Sequence, residues 1–135
     1  MEKETELLRV LIVEDNEEFC SFLKATVYQR YPRAAVVEAH DGAGGLRLHA
    51  TFKPHLAFID INLPGDINGL QLTKQLRAAG SPVRIVIITS HDLPEYRSAA
   101  SLLGADTFLS KSSLSPPVIQ SLMDQVLATG LPRSK

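Results

Sequence analysis

The stretch Leu56-Ala57-Phe58-Ile59-Asp60 sets four apolar residues directly before one acid. A run that is apolar throughout, rather than alternating, is typical of a strand covered on both faces, as in a parallel sheet flanked by helices. Four other segments are rich in β-branched or aliphatic residues, and several are also apolar throughout: residues 10–13, 35–37, 83–88 and 107–109. The sequence therefore predicts five short, largely buried strands.

Stretches with helical spacing lie between these strands. In the clearest, apolar residues recur three and four apart from Phe19 to Tyr31, and Asn16 is placed to cap the helix. Glycine and proline mark the bounds of the later helices. Apolar residues from Leu70 to Leu76 mark one helix, which we expect to stop at Gly80, and a later helix stops at Gly104. We expect the last helix to begin near Pro116 or Pro117 and to continue to Gly130.

The second helix is the least regular, because Gly42, Gly44 and Gly45 each lower helix propensity by up to about 1 kcal/mol relative to alanine. We expect it to start late, near Leu46. The alternation of strand and helix predicts an α/β, doubly wound fold with five helices. Right-handed crossovers with helices on both faces favour the flavodoxin-like strand order 2-1-3-4-5.

Composition narrows the function classes. A chain of 135 residues has the size of one domain, and its 14 Lys and Arg against 15 Asp and Glu are scattered, which argues against nucleic acid as the primary partner. No secretory signal precedes the first strand, and no apolar run approaches the roughly 20 residues that cross a bilayer. The lone Cys20 favours a reducing compartment and is expected to be a small buried residue. We therefore expect a soluble, cytoplasmic protein that does not act at a membrane.

Polar side chains end the strands nearest the centre of the predicted sheet. Strand one ends at Glu14 and Asp15, strand three at Asp60, strand four at Thr89 and strand five at Lys111. Any one of these could cap a helix or lie in solvent. Because ligands bind beyond the carboxyl ends of the strands in such sheets, the residues together predict one site.

Three carboxylates and one ammonium at this site sum to a charge of −2. Clustered carboxylates repel unless a cation lies among them, and oxygen ligands with room for water and phosphate favour Mg²⁺ over Ca²⁺. The four histidines lack the spacing of a metal site, and we expect them to lie on the surface or on helix faces: His40, His49, His55 and His91.

Asp60 differs from the other two acids because a loop signal, including Asn62 and Gly65, follows it. It is expected to project alone into the crevice. A carboxylate beside Mg²⁺ can attack a phosphoryl group and carry it as an aspartyl phosphate. Thr89 and Lys111 would then bind the phosphate oxygens.

These residues resemble the receiver domain of bacterial response regulators. The resemblance runs from Arg9 to about Leu127, so we expect an N-terminal extension over residues 1–8, a receiver domain over 9–130 and a tail over 131–135. The positions that match are the acid pair Glu14-Asp15, the phosphoacceptor Asp60 with Pro64, the switch hydroxyl Thr89-Ser90, the phosphate-binding Lys111 and the aromatic switch position Phe108.

The resemblance implies a phosphoacceptor signalling domain of a two-component system, which catalyses only its own phosphorylation and dephosphorylation. The donor would be a phosphohistidine on a sensor histidine kinase or phosphotransfer protein. Mg²⁺ would be held by Asp15, Asp60 and the backbone carbonyl of Asn62, with Glu14 nearby. Phosphorylation would draw Thr89 toward the phosphate and let the Phe108 ring turn inward, which changes the surface offered to a downstream effector protein or domain.

Three departures from the family pattern are visible. The loop over residues 64–69 is one residue longer before its glycine than is common. Ser112 follows Lys111 where proline is usual, so we expect a trans bond or a rearranged loop, since a cis bond before serine costs about 2.5 to 4 kcal/mol. The pair Gly44-Gly45 replaces better helix formers, which bears on rigidity.

The lifetime of the phosphoryl group is expected to depend on Asn62 and His91, which lie two residues beyond Asp60 and Thr89. Asn62 could position a hydrolytic water, whereas the bulkier His91 could block its approach. The alternative for His91 is an exposed loop residue without a role.

Three other functions are compatible with part of this pattern. A phosphatase of the haloacid dehalogenase type also uses an aspartate nucleophile, but Asn62 stands where its general acid would be. A flavodoxin-like protein that binds FMN needs a loop rich in Ser, Thr and Gly after strand one, where residues 14–18 are acidic and would repel phosphate. A receiver that acts without phosphorylation remains open, although every required residue is present.

Overall fold

The computed structural model describes residues 7–128. Five parallel strands form one sheet in the order β2-β1-β3-β4-β5, which confirms the predicted α/β fold and strand order. The strands are β1 (Arg9–Val13), β2 (Ala35–Ala39), β3 (Leu56–Asp60), β4 (Arg84–Thr89) and β5 (Thr107–Ser110). The helices are α1 (Glu17–Arg30), α2 (Gly42–Phe52), α3 (Gly69–Ala78), α4 (Pro94–Leu103) and α5 (Pro116–Ala128).

The predicted end of the last helix at Gly130 and the tail over 131–135 lie outside the described residues, as does most of the extension over 1–8. Within residues 7–128, no helix is both long enough and apolar enough to span a membrane.

The sheet has a hydrophobic core on each face, because alternate residues of a strand point to opposite sides. In β3, Phe58 packs in the core shared with α1 and α5, whereas Ile59 packs in the core shared with α3. All five residues of β3 are buried, as the unbroken apolar run predicts. This central strand therefore carries Asp60 to the edge of the sheet from a rigid base.

The second helix begins at Gly42, so the predicted start near Leu46 is wrong. The Asp41 side chain caps it by accepting a hydrogen bond from the Gly44 amide at 2.7 Å. A Cβ at position 42 would lie 2.2 Å from the carbonyl oxygen of Ile67. Close approach to this neighbouring loop requires glycine, and tertiary packing outweighs the low helix propensity.

The longer loop between β3 and α3 ends in a well-defined helix cap. Asn68 caps this helix in a capping box with Gln71, and the Gly69 amide donates to the carbonyl of Ile61 at 2.9 Å. A Cβ on Gly69 would lie only 2.1 Å from the carbonyl oxygen of Asp60. The start of α3 is thus packed directly against the end of β3, and the backbone of Asp60 depends on glycine at position 69.

We expect Gly69→Ala to lower the free energy of unfolding by about 2 kcal/mol, because the overlap with Asp60 outweighs the gain in helix propensity from alanine. Urea denaturation followed by circular dichroism measures this loss. Lys74→Ala, at an exposed position of the same helix, is the matched control and should change stability by less than about 0.5 kcal/mol. Equal stability of Gly69→Ala and wild type would contradict the close packing.

The connection after β5 takes a path without a cis bond. Residues 7–128 contain no cis peptide, so the predicted trans bond between Lys111 and Ser112 is confirmed. Residues Lys111–Ser113 form a 3-10 turn, and the Ser110 hydroxyl accepts a hydrogen bond from the Ser112 amide at 3.3 Å. The serine side chain therefore helps to shape the loop that carries Lys111.

Arg77 joins several segments at the opposite end of the sheet. Its guanidinium donates hydrogen bonds to the carbonyl oxygens of Gly104 and Ser81 and to the carboxylate of Asp106, each at 2.9 Å. Asp106 in turn accepts a hydrogen bond from the Ile85 amide at 2.8 Å. This cluster fixes α3, β4 and the C-terminal end of α4 to one another.

Two smaller expectations have different outcomes. Cys20 is buried as predicted; its thiol donates to the Glu14 carbonyl at 3.3 Å, and burial raises its pKa to about 11. The expectation that all histidines lie on the surface or on helix faces is wrong for His55, which is 1% exposed. Its Nδ1 accepts a hydrogen bond from the Arg9 amide at 2.9 Å. The buried ring nitrogen thus has a partner that replaces water.

Candidate functional site

Side chains at the carboxyl ends of β1, β3 and β5 meet at one edge of the sheet. Carboxylate oxygens of Glu14, Asp15 and Asp60 lie within 4.8 Å of one another. The Lys111 ammonium lies 2.7 Å from Glu14 Oε1 and 3.6 Å from Asp60 Oδ2. The structure therefore brings together the three acids and the lysine that the sequence places at the strand ends.

Asp60 is almost enclosed, with 4% of its surface exposed. Its Oδ1 accepts a hydrogen bond from the Asn62 amide at 3.4 Å. Burial and the nearby charge of Glu14 raise the pKa of Asp60 to about 6, whereas the Lys111 ammonium acts in the opposite direction. The charged form of Asp60 therefore lowers the stability of the folded chain. A further cation near this carboxylate would reduce that loss.

Glu14 and Asp15 are adjacent in sequence but differ in their surroundings. Glu14 is fully buried, and its Oε2 accepts a hydrogen bond from the Asn16 amide at 3.0 Å while Oε1 faces Lys111. Asn16 caps α1 as predicted, accepting from the Phe19 amide at 2.9 Å. Asp15 is exposed. Its carboxylate is open to a ligand from solvent, whereas both oxygens of Glu14 already have partners.

Lys111 is held between the carboxylates and a ring. Its Nζ lies 4.6 Å from the centroid of Phe19, within the range of a cation–π contact. Burial works to lower the pKa of Lys111, but contacts with Glu14 and Asp60 more than offset it, so the pKa lies above its ordinary value. The side chain is therefore a fixed positive charge beside Asp60. Sequence analysis assigned Phe19 only to the helix core and missed this contact.

The three carboxylates and Lys111 leave a net charge of −2 in a partly buried crevice. The donors are all oxygen atoms, one of the three acids is exposed, and no histidine or cysteine belongs to this group. Such a set matches a hard divalent cation that keeps several waters, as Mg²⁺ does. The residues present therefore fit Mg²⁺.

Thr89 ends β4 one residue beyond the partner of Asp60, because Asp60 is paired with Ile88 across the sheet. It is fully buried, and its hydroxyl accepts a hydrogen bond from the His91 amide at 3.0 Å. This bond fixes the first turn of the loop between β4 and α4. Movement of the hydroxyl toward Asp60 would remove the acceptor of the His91 amide.

Phe108 is buried, with 9% of its surface exposed, on the face of the sheet that carries Ile87. The guanidinium carbon of Arg97 lies 4.6 Å from the ring centroid, and Arg97 also pairs with Asp92 at 3.0 Å. In this structure the ring is therefore inside and covered by an arginine of α4. No sequence signal pointed to Arg97.

Asn62 and His91 contact each other. The Asn62 Nδ2 lies 3.2 Å from His91 Nδ1, and both residues are exposed. The sequence predicted that each would flank the approach to Asp60, but it did not predict that they are hydrogen-bonded. This bond links the loop after β3 to the loop after β4.

Comparisons with known proteins agree with this arrangement. The sequence model of the response regulator receiver domain matches residues 10–123. A NarL transcriptional regulatory protein of Mycobacterium tuberculosis is 29% identical over 119 residues, which cover 88% of this chain and 55% of that protein. The response regulator MprA of Mycobacterium avium is 30% identical over 104 residues, or 77% of this chain and 44% of that protein. The chain thus spans about half the length of these relatives.

The solved signal receiver domain of a NarL response regulator from Mycobacterium tuberculosis superposes with a TM-score of 0.81 at 29% identity. The superposition covers 90% of this chain and 98% of that domain. The sequence match, the strand order and the acidic crevice lead to the same assignment: this chain belongs to the receiver domains of two-component response regulators.

Proposed function

We propose that Asp60 accepts a phosphoryl group from a phosphohistidine donor in a Mg²⁺-dependent reaction. The observation that carries this proposal is the position of the Asp60 carboxylate, buried at the sheet edge beside Lys111 and two further carboxylates. A buried nucleophile with a fixed cation next to it is suited to stabilise the charge of a phosphoryl group.

In the transfer, an Asp60 oxygen forms a bond to phosphorus as the bond between phosphorus and the donor nitrogen breaks. Mg²⁺, when bound, offsets the negative charge of the carboxylate and the phosphoryl oxygens. Asp15, Asp60 and the backbone carbonyl of Asn62 would hold it, with Glu14 nearby. Lys111 pairs with a phosphoryl oxygen, and the Thr89 hydroxyl donates to another.

The test is incubation of the wild-type chain with Mg²⁺ and acetyl phosphate, followed by intact-mass measurement. We expect one added phosphoryl group, and we expect none when EDTA replaces Mg²⁺. Absence of uptake with Mg²⁺ present would favour the alternative of a receiver that acts as a binding module without phosphorylation.

We expect Asp15→Asn to weaken Mg²⁺ binding by at least about tenfold and Glu14→Gln to weaken it less. Asp15 is exposed and free to bind the ion directly, whereas Asn16 and Lys111 already occupy the oxygens of Glu14. Calorimetric titration of both variants gives the ranking. Wild-type affinity in Asp15→Asn would exclude the proposed ligand set.

The proposed switch joins Asp60 to α4. When Thr89 turns toward the phosphoryl group, the His91 amide loses its acceptor, and the loop that carries Asp92 is released. Asp92 pairs with Arg97, which covers the ring of Phe108. The surface of α4 and β5 changes as a result, and a downstream effector protein or domain would recognise that change.

We expect His91→Ala to shorten the lifetime of the phosphoryl group. Its exposed imidazole contacts the side-chain amide of Asn62 at 3.2 Å, and in the proposed role it excludes a water in line with the bond to Asp60. Decay after removal of the donor, at saturating Mg²⁺, measures the effect; we expect it to be severalfold. Asn62→Ala removes both the amide that could position a water and the partner of the imidazole, so a longer lifetime in this variant would show that Asn62 positions the water. An unchanged or longer lifetime in His91→Ala would leave the residue without a shielding role.

We also propose the partners of the domain and the compartment in which it acts. A receiver domain over residues 9–130 would take its phosphoryl group from a sensor histidine kinase or phosphotransfer protein in the cytoplasm. One relative is named as a transcriptional regulatory protein and extends well beyond the matched segment, which supports an effector as the downstream partner. The domain would act as a switch and would catalyse only its own phosphorylation and dephosphorylation.

A further inference from the structure

A second group of metal-binding side chains lies apart from the acidic crevice. Cys20 of α1, Glu38 of β2 and His40 each offer one donor atom, and these atoms all lie within 4.8 Å of one another. Glu38 and His40 are two residues apart at the end of β2, so they point to the same side of the sheet. Sequence spacing did not reveal the group, because Cys20 comes from a different element.

The separation of two of these atoms matches a tetrahedral site. His40 Nε2 lies 3.5 Å from Glu38 Oε1. Two such atoms bound to one tetrahedral Zn²⁺, at about 2.0 to 2.2 Å each, lie about 3.4 Å apart. An ion therefore fits between them with little movement of either side chain. The Cys20 sulfur lies within 4.8 Å of both atoms, whereas a tetrahedral Zn²⁺ places sulfur about 3.6 Å from its other ligands, so the sulfur moves by at most about 1.2 Å on binding.

The surroundings allow an ion to enter. Cys20 is buried, Glu38 is half-buried and His40 is exposed, so the group opens toward solvent at the histidine. Glu38 and His40 also border a cavity of about 500 Å³ whose other walls are Ala39, Asp41 and residues of α2, so the histidine can be reached from that side. Lys24 pairs with Oε2 of Glu38 and leaves Oε1 facing His40.

From these contacts we propose that Cys20, Glu38 and His40 form a binding site for a divalent transition metal ion such as Zn²⁺. The mixture of thiolate, imidazole and carboxylate selects such an ion over Mg²⁺, which prefers oxygen donors. As the bond between Sγ and the metal forms, the thiol proton passes to the buffer. The Glu14 carbonyl, which now accepts from this thiol, loses that hydrogen bond. None of its three donor residues belongs to the acidic crevice, and binding of the ion does not require phosphoryl transfer.

Co²⁺ is the probe, because a bond between Co²⁺ and thiolate gives a charge-transfer absorption band. The full chain is titrated with Co²⁺ at saturating Mg²⁺, which occupies the carboxylate site. We expect the band in wild type and in Asp60→Asn, its loss in Cys20→Ser, and affinity at least about tenfold weaker in His40→Ala. His49→Gln, a histidine outside the group, is the matched control and should bind as wild type does.

His40 is exposed, so His40→Ala should keep the fold, and its circular dichroism spectrum checks this. The proposal would be overturned if Co²⁺ gave no thiolate band in wild type. Equal affinity of wild type and His40→Ala would also overturn it.

Discussion

We expect the Asp60→Asn variant to take up no phosphoryl group from acetyl phosphate under conditions in which the wild-type chain takes up one. The amide of asparagine is a poor nucleophile and carries no charge, so the attack on phosphorus fails even where Mg²⁺ and Lys111 are in place. Intact-mass measurement over a time course distinguishes full loss from slow uptake.

The matched control is Asp66→Asn, which removes an exposed carboxylate from the loop that follows β3. We expect it to be phosphorylated to the wild-type extent. Wild-type uptake in Asp60→Asn would show that another residue is the acceptor, and loss of uptake in both variants would indicate that the charge of the loop, rather than one nucleophile, governs the reaction.

We expect the Asp60→Asn substitution to make the protein more stable than wild type at high pH in metal-free buffer. The pKa of Asp60 rises from its ordinary 3.8 to about 6 in the folded chain, because of burial first and of Glu14 second. The folded state therefore binds this proton more tightly than the unfolded state does. The contribution of Asp60 to the free energy of unfolding of the wild type is therefore largest below about pH 4. This contribution is lost as the pH rises through 6.

Asparagine carries no charge, so the variant escapes this loss. The difference between the two pKa values corresponds to about 3 kcal/mol, which is the gain expected for Asp60→Asn at pH 8 relative to pH 4. Urea denaturation in EDTA at both pH values measures it, with Asp66→Asn as a control that should show little change. Added Mg²⁺ should restore much of the stability of the wild type at pH 8. A stability difference between variant and wild type that does not vary with pH would contradict the raised pKa.

A destabilised nucleophile is common at functional sites, where stability is lost for activity. Here the loss can be located. Three carboxylates converge where the sheet ends, and a single ammonium does not neutralise them. The domain is thus expected to be most stable when a cation is bound, and its stability reports on occupancy of the crevice.

The convergence of Glu14, Asp15, Asp60 and Lys111 was predictable from sequence because it follows from topology. Once strands are parallel and adjacent, their carboxyl ends must meet, whatever the details of packing. The apolar run before Asp60 was equally informative, since burial on both faces forbids polar residues along it. These features depend on residue type and order alone.

The errors and omissions concern contacts between distant segments. The predicted start of α2 was wrong because helix propensity does not include tertiary contacts such as the packing of Gly42 against Ile67. The burial of His55 depends on an amide of β1, and the bond between Asn62 and His91 depends on how two loops approach each other. Such contacts are set by the folded geometry and leave no periodic signal in the chain.

The Arg77 cluster has a mechanical consequence for α4. Its bond to the Gly104 carbonyl anchors the C-terminal end of the helix, whereas near the other end the contacts of Arg97 with Asp92 and Phe108 are partly open to solvent. A helix of 10 residues is about 15 Å long, so a pivot of about 10° at the anchored end moves Pro94 by roughly 2.6 Å. We therefore expect that any small rotation of α4 about its anchored C-terminal end is amplified at its first turn, beside the crevice.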